Sequence, residues 1–296
     1  MAPQKCSLCL QHRELRNSHI LPKFVVSWLK KNTPGQIRKG DSPNVRIQDS
    51  DKMRLLCNTC EEMLSKWEKE FAEKVFIPVH SGELARGHIS YGPWAMKCLA
   101  SISWRVLIFH SLSQGLPNLH DQHIIEESNR TLERLRLFIM DEIPSPEPYA
   151  QHLLPMEIIA DHTLPQLSPF MNRYIVSTLD HDVIGSKNCA YIYSKLGTLL
   201  LFGEIVDPLG HEWDGTRLSN DEGALRIQKY SIPSRIWEFI NNRSNLVANV
   251  SSQISSTQMQ KIESSMHKDL KRLASSKLVQ AMDADNKEPR GKTTGY

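Results

Sequence analysis

The sequence predicts an α+β protein, with an N-terminal metal-binding region followed by a larger mixed helical and antiparallel β region. Three observations predict it. Two Cys-x-x-Cys pairs stand near the N-terminus, apolar residues recur at helical spacing between 93 and 141, and short strand-like runs fill 150–230. The 296 residues suffice for one large or two modest domains, and 40% hydrophobic with 23% charged residues argues for a folded chain rather than a disordered one. The segment Trp94 to Gln114 is long enough to cross a bilayer but carries Lys97, Arg105 and His110, so it reads as a buried helix of a soluble protein. The opening Met-Ala-Pro-Gln-Lys-Cys has no apolar stretch, which makes a cytoplasmic location the expectation.

The elements follow in order. Pro22 to Lys31 reads as a short amphipathic helix with Phe24, Trp28 and Leu29 inward and its lysines outward. Glu61 to Val75 reads as a helix stopped by Pro78. A link with Gly82, Gly87 and Gly92 leads to a helix opened by Pro93 and closed near Gly115. A further helix runs from Asp121 to Asp141 on Ile125, Leu132, Leu135 and Phe138, and Pro144, Pro146 and Pro148 mark the linker after it. Strands are expected at Tyr174-Ile-Val-Ser-Thr, Ala190-Tyr-Ile-Tyr, Thr198-Leu-Leu-Leu-Phe and Ala224-Leu-Arg-Ile. Residues 233–280 return to helix, with Met259, Ile262, Met266, Leu270 and Leu273 as a stripe, and 281–296 read as a disordered tail. The domain division that follows is 1–80, 81–148, 149–280 and the tail.

Cysteine placement carries the strongest signal. Cys98 and Cys189 stand alone in apolar surroundings and read as buried small hydrophobes. Cys6-Ser-Leu-Cys9 and Cys57-Asn-Thr-Cys60 form two knuckles. In a reducing compartment such pairs are zinc ligands before they are disulfides, because two-residue spacing turns both thiolates toward one ion and two knuckles complete a four-sulfur shell. The 47 residues between Cys9 and Cys57 require an inserted loop.

Charge is uneven. Residues 1–80 hold 14 Lys and Arg against 9 Asp and Glu, whereas the other 216 residues balance at −2. Lys23, Lys30, Lys31, Arg38, Lys39 and Arg46 form a basic strip broken only by Asp41, which points to a phosphate-bearing partner or, equally, to a solvated surface. Asp180-His181-Asp182 and His211-Glu212-Trp213-Asp214 read as turn clusters rather than metal sites. No phosphate-binding glycine loop, nucleophile elbow or dinucleotide fingerprint is present.

Between the knuckles lies Ser18-His19-Ile20-Leu21-Pro22; Leu55-Leu56 runs into the second knuckle, and Glu61 follows Cys60. This order resembles the zinc-containing HNH endonuclease family over residues 5–76, about a quarter of the chain. It is also similar to bacterial proteins sharing the Ser-His-Ile-x-Pro-Lys-Phe and Leu-Leu-Cys-x-x-Cys-Glu elements. The resemblance implies a treble clef around a structural zinc, with His19 as general base and a divalent metal held by an acid before that His and by a His on the helix. The acid's position holds Ser18 and the helix His is Glu61; the family's Asn before the second knuckle is absent, with Asp51 and Lys52 in that neighbourhood. Glu61, with Glu68 seven residues on along the same helix face, would then hold catalytic Mg²⁺ or Mn²⁺. The function expected is metal-dependent hydrolysis of nucleic acid, DNA ahead of RNA, and by association a role in bacterial anti-phage defence. The alternative is a non-catalytic zinc module that binds nucleic acid or a protein partner, the latter through the C-terminal helices.

Overall fold

The computed structural model describes residues 3–33, 48–113, 121–159, 167–208, 212–267 and 276–286. The expected α+β class holds, with helices and antiparallel sheets mixed along the chain. Two units assemble from discontinuous segments: Met1–Phe24, Ser50–Pro155 and Asp180–Ser231 form the first, and Val25–Asp49, Met156–Leu179 and Ile232–Tyr296 the second. None of the described helices is long and apolar enough to cross a membrane.

The first unit opens with two small antiparallel pairs. β1 (Gln4–Lys5) pairs with β2 (His12–Arg13), and β3 (Leu15–His19) pairs with β4 (Lys52–Cys57), with Asn17 opposite Arg54, Ser18 opposite Met53 and His19 opposite Lys52. α1 (Lys23–Asn32) starts here, and Phe24 packs edge-on against Phe76 at 4.8 Å. α2 (Asn58–Phe71) leaves β4 directly and continues through a π-helical turn (Ala72–Phe76) into the short α3 (Ile77–His80). Pro78 therefore does not stop the helix: the widened turn before it relieves the clash that a proline ring makes with the preceding turn. β5 (His88–Tyr91) follows. α4 (Pro93–Ser113) then runs through the centre, buried on every side along much of its length and packed against α2 and α5 (Gln122–Ile139). Its burial explains why it carries no amphipathic stripe.

A four-stranded antiparallel sheet in the order β6-β9-β8-β7 packs against α4. Its strands are β6 (Gln151–Pro155), β7 (His181–Ser186), β8 (Cys189–Leu196) and β9 (Leu199–Val206). Every residue of β8 is buried, and the two-residue turn to β9 depends on Gly197 at a φ of 63°. Thr198 N–H donates to His80 Nε2 at 3.0 Å, and His80 Nδ1 lies 2.7 Å from the Phe76 carbonyl, which fixes the ring as the Nδ1–H tautomer. β10 (Gly223–Arg226) completes the unit by pairing with β5. His181 and Asp182 thus open a strand rather than a turn.

The second unit contains most of α1, with Val26, Leu29 and Trp28 packed beside Leu179, and the helices α6 (Met171–Ser177), α7 (Ser234–Ser252), α8 (Ser256–His267) and α9 (Lys277–Asp285). The strand expected over Tyr174–Thr178 is corrected to helix. Its first turn is capped from a distant segment: Asp285, its side chain fully buried, accepts from the backbone N–H groups of Asn172 and Arg173 and from Arg173 Nε, each at 3.0 Å. That cap overrides the β preference of the Tyr-Ile-Val run. Residues 281–285, expected in a disordered tail, belong to α9 for this reason. Of the expected apolar stripe, Met259 is 38% exposed, while the side chain of Met266, and Leu270 and Leu273, lie outside the described residues.

Two outcomes follow. Asp285→Ala removes the acceptor for two helix N–H groups and strands Arg173, so the second unit should lose about 2–3 kcal/mol, read as faster amide exchange in α6 and α9. Burial between β8 and β9 pulls the Lys195 ammonium down to about 7, opposed by Asp180, while its Nζ donates to the Gly197 carbonyl at 2.8 Å. Between about pH 7 and about pH 10.5 the unfolded chain keeps a proton that the folded chain has released, so stability rises with pH across that window. Lys195→Met should flatten this rise in urea midpoints measured at neutral and alkaline pH.

Candidate metal centre

The knuckles are built by local hydrogen bonding before any ion is considered. In the first, Cys6 N–H donates to the Gln11 carbonyl at 2.8 Å and Leu10 N–H to the Cys6 carbonyl at 2.9 Å, with Leu10 left-handed at a φ of 62°. The second sits where β4 becomes α2: Cys57 precedes the helix, Cys60 lies in its first turn, and no side chain caps that end. Ser7 N–H reaches the Leu55 carbonyl at 2.9 Å and Cys57 N–H donates to Cys6 Sγ at 3.3 Å, which draws the knuckles together. From α5, Arg136 donates to the Leu8 carbonyl at 3.3 Å inside the first knuckle.

Cys6, Cys9, Cys57 and Cys60 place their sulfurs within 4.8 Å of one another, with Cys6 to Cys60 and Cys9 to Cys57 each at 3.8 Å. A tetrahedral ion with sulfur bonds of ~2.3 Å has edges of ~3.8 Å, so the donor set fits a metal such as zinc, and these separations exclude disulfides. Cys6, Cys57 and Cys60 are buried and Cys9 is half-buried, and an all-sulfur set of four suits holding structure rather than admitting substrate. The Cys60 thiol hydrogen-bonds Cys6 and brings it down to about 4, while the same contact and burial push Cys60 up. Within the Cys6–Cys60 pair the protein alone favours a single thiolate, and a cation would let the partner ionise.

Beside this centre stands the hairpin. Ser18 is buried and its hydroxyl donates to the Glu61 carboxylate, so the two positions that the HNH resemblance gives to a divalent metal meet directly through a hydrogen bond. Glu68 is held elsewhere: Arg105 Nη2 binds its Oε1 at 2.5 Å, Arg105 Nη1 donates to the His19 carbonyl at 3.0 Å, and Arg105 Nε to the Ser101 carbonyl at 3.3 Å. His19 is half-buried and shares its row of the β3–β4 pair with Lys52, Asn17 and Arg54, since opposed residues lie on one face. Among the described residues, groups of three or more His, Cys, Asp or Glu side chains converge on one point at the four cysteines alone. His19, Glu61 and Glu68 are not among the side chains so gathered, and the described geometry gives no support to catalytic Mg²⁺ or Mn²⁺ at them. Arg105 is the site residue that sequence reasoning missed; its signal was a single arginine in an otherwise apolar helix.

The remaining candidates disperse. Lys23, Lys30 and Lys31 are exposed on α1, while Arg38, Lys39 and Arg46 lie outside the described residues. On the knuckle side, Arg13 and Arg16 are exposed and tethered to the start of α2, Arg13 to Thr59 Oγ1 at 2.9 Å and Arg16 to Asn58 Oδ1 at 3.1 Å. His181 lies 3.1 Å from His110 and 3.3 Å from Asp51, but among the described residues this trio does not converge as a metal-binding group. His211 lies outside the described residues; Trp213 beside it stacks on the buried His152 at 4.0 Å and donates to Asp207. His152 itself bridges Glu204 at 2.8 Å and Thr216 at 3.0 Å.

No family model, curated protein or solved structure matches the chain.

Elemental analysis of the purified protein should return one zinc per chain. Cys6→Ser, which removes one of four sulfurs and the acceptor for Cys57 N–H, should lose the metal and unfold residues 3–24 and 50–76, because binding free energy is folding free energy at such sites. A metal-free protein with native amide protection in α2 would refute the site.

Proposed function

We propose that residues 3–24 and 50–76 form a zinc-ordered treble clef that binds nucleic acid through its phosphate backbone. The observation that carries this reading is the pair Arg13 and Arg16, exposed yet tethered at the first turn of α2, whose end no side chain caps. A guanidinium matches phosphate geometry, a helix N-terminus favours an anion, and tethering removes part of the entropy cost of ordering a long side chain. Lys5, Lys52 and Arg54 are exposed on the neighbouring strands, and the exposed acids beside them are Glu14, Asp51 and Glu62, the last accepting from Asn58 at 2.6 Å. Zinc supplies no chemistry in this reading beyond holding the knuckles, and duplex DNA is the first substrate to try.

A second reading, HNH-like phosphodiester hydrolysis with His19 as base, is favoured by one contact, that of Ser18 with Glu61. It gives those two residues a meeting point where the family resemblance asks for one. The donor set there lacks a second carboxylate.

Fluorescence anisotropy on labelled duplex DNA and RNA separates the outcomes. Binding should weaken by ~10-fold or more between about 50 and about 200 mM salt. Arg13→Glu with Arg16→Glu should weaken all sequences alike while leaving zinc content unchanged, because phosphate contacts carry no base information. Absent binding at low salt, or binding indifferent to both reversals, would refute the proposal. Cleavage by the wild type with Mg²⁺ or Mn²⁺ that falls ~10²-fold in His19→Ala would establish the second reading instead.

A further inference from the structure

On the first unit, away from the cysteine cluster, α5 and the segment 147–149 enclose an open cleft of about 470 Å³ lined by Arg130, Glu133, Arg134, Leu137, Glu147, Pro148 and Tyr149. Its volume falls in the range of small-ligand sites. Its charges are accounted for by ion pairs with one exception. Glu133 binds Arg136 through both oxygens at 2.9 Å, Glu147 binds Arg217 at 3.0 Å, and Arg130 pairs with Glu127. Tyr149 gives its hydroxyl to Glu127 at 3.0 Å, leaving its ring with Pro148 and Leu137 as apolar wall. Arg134 has no acid of its own among the described residues, and its Nε is buried without an acceptor. An unpaired guanidinium, half-buried with its Nε shielded from water beside apolar walls, favours an anion of matching planar shape.

We infer that this cleft binds a carboxylate carrying an apolar group of about the size of a leucine or phenylalanine side chain, with Arg134 holding the carboxylate. Carboxylate is preferred to phosphate because Glu133 and Glu147 also line the cleft, and a dianion would meet twice the repulsion from them that a monoanion meets. The apolar group lies along Leu137 and Pro148. Such a carboxylate comes either from a free acid or from the C-terminus of a peptide chain. The inference does not depend on the nucleic-acid reading, since the cleft shares no residue with Arg13, Arg16 or the knuckles.

Isothermal titration of the full chain with N-acetylphenylalanine, its amide and phenyl phosphate tests the class. The free acid should bind with a Kd of about a millimolar, as its size allows, and the amide at least ~10-fold more weakly. Arg134→Gln should weaken the acid ~10-fold, and Leu137→Trp, which fills the cleft, should do the same with zinc content and unfolding midpoint unchanged. A short peptide ending in phenylalanine that binds more tightly than the acid supports a chain end as the source, and equal or weaker binding supports a free acid. Tighter binding of phenyl phosphate, equal binding of the amide, or affinity unmoved in both Arg134→Gln and Leu137→Trp overturns the inference.

Discussion

Four sulfurs held within 4.8 Å of one another set the constraint from which the N-terminal half of the first unit follows. Their chain segments are 47 residues apart, so the cluster closes a long loop and fixes the relative placement of β1, β2 and the β3–β4 pair before any of them buries much surface. Pairs of two or five residues with an exposed face contribute little by themselves. Local bonds such as Ser7 to Leu55 and Cys57 to Cys6 then act within a geometry that the metal ligands already require. The start of α2 would benefit too: thiolate charge that a bound cation induces at Cys57 and Cys60 would sit at the positive end of the helix, where a side-chain cap is missing.

A second constraint runs outward from α4. Burying Arg105 to 2% exposure inside an apolar helix is costly unless each donor finds an acceptor, and Glu68, the His19 carbonyl and the Ser101 carbonyl supply three. The arginine thereby ties the end of β3 to the middle of α2 through a helix that belongs to neither. Breaking the pair from the Glu68 side would leave a buried guanidinium with backbone carbonyls alone. The knuckle region is consequently integrated into the first unit through α4, and through the Arg136 contact with Leu8, rather than appended to it as an independent bead.

Legibility in the sequence tracked the range of the interactions involved. Knuckle spacing, the two long helices and the hydrophobic runs of β8 and β9 are local patterns, and each is found where it was expected. The Tyr174–Thr178 segment was misread because its cap, Asp285, lies more than 100 residues further along the chain, and nothing in the local run announces it. Pro78 was misread because a π-helical turn absorbs the ring, a response that the proline rule alone does not include. Glu68 looked like a ligand from one helix and proved to be a counter-ion once a second helix was placed against it. At the candidate site, the clustering of the four cysteines was legible, since it follows from their spacing; the partners of Ser18, Glu61 and Glu68 were not, since they arise from packing.

On the proposed reading, the contact between Ser18 and Glu61 favours binding over hydrolysis at the hairpin. A hard divalent cation at neutral pH is held by accumulated negative charge, and two carboxylates facing one another supply it while repelling each other in its absence. A serine facing a carboxylate reverses both effects: the hydroxyl donates, the buried pair is satisfied without any ion, and a single negative charge remains to attract one. The contact is thus satisfied without an ion, and the energetic incentive to recruit a metal between β3 and α2 is reduced. Cationic groups, by contrast, gather on the exposed side of the same elements, where Arg13 and Arg16 are already oriented by Thr59 and Asn58. On the proposed reading, this surface would hold a phosphate in place, and a metal at the four cysteines would give the arginines a rigid base from which to do so.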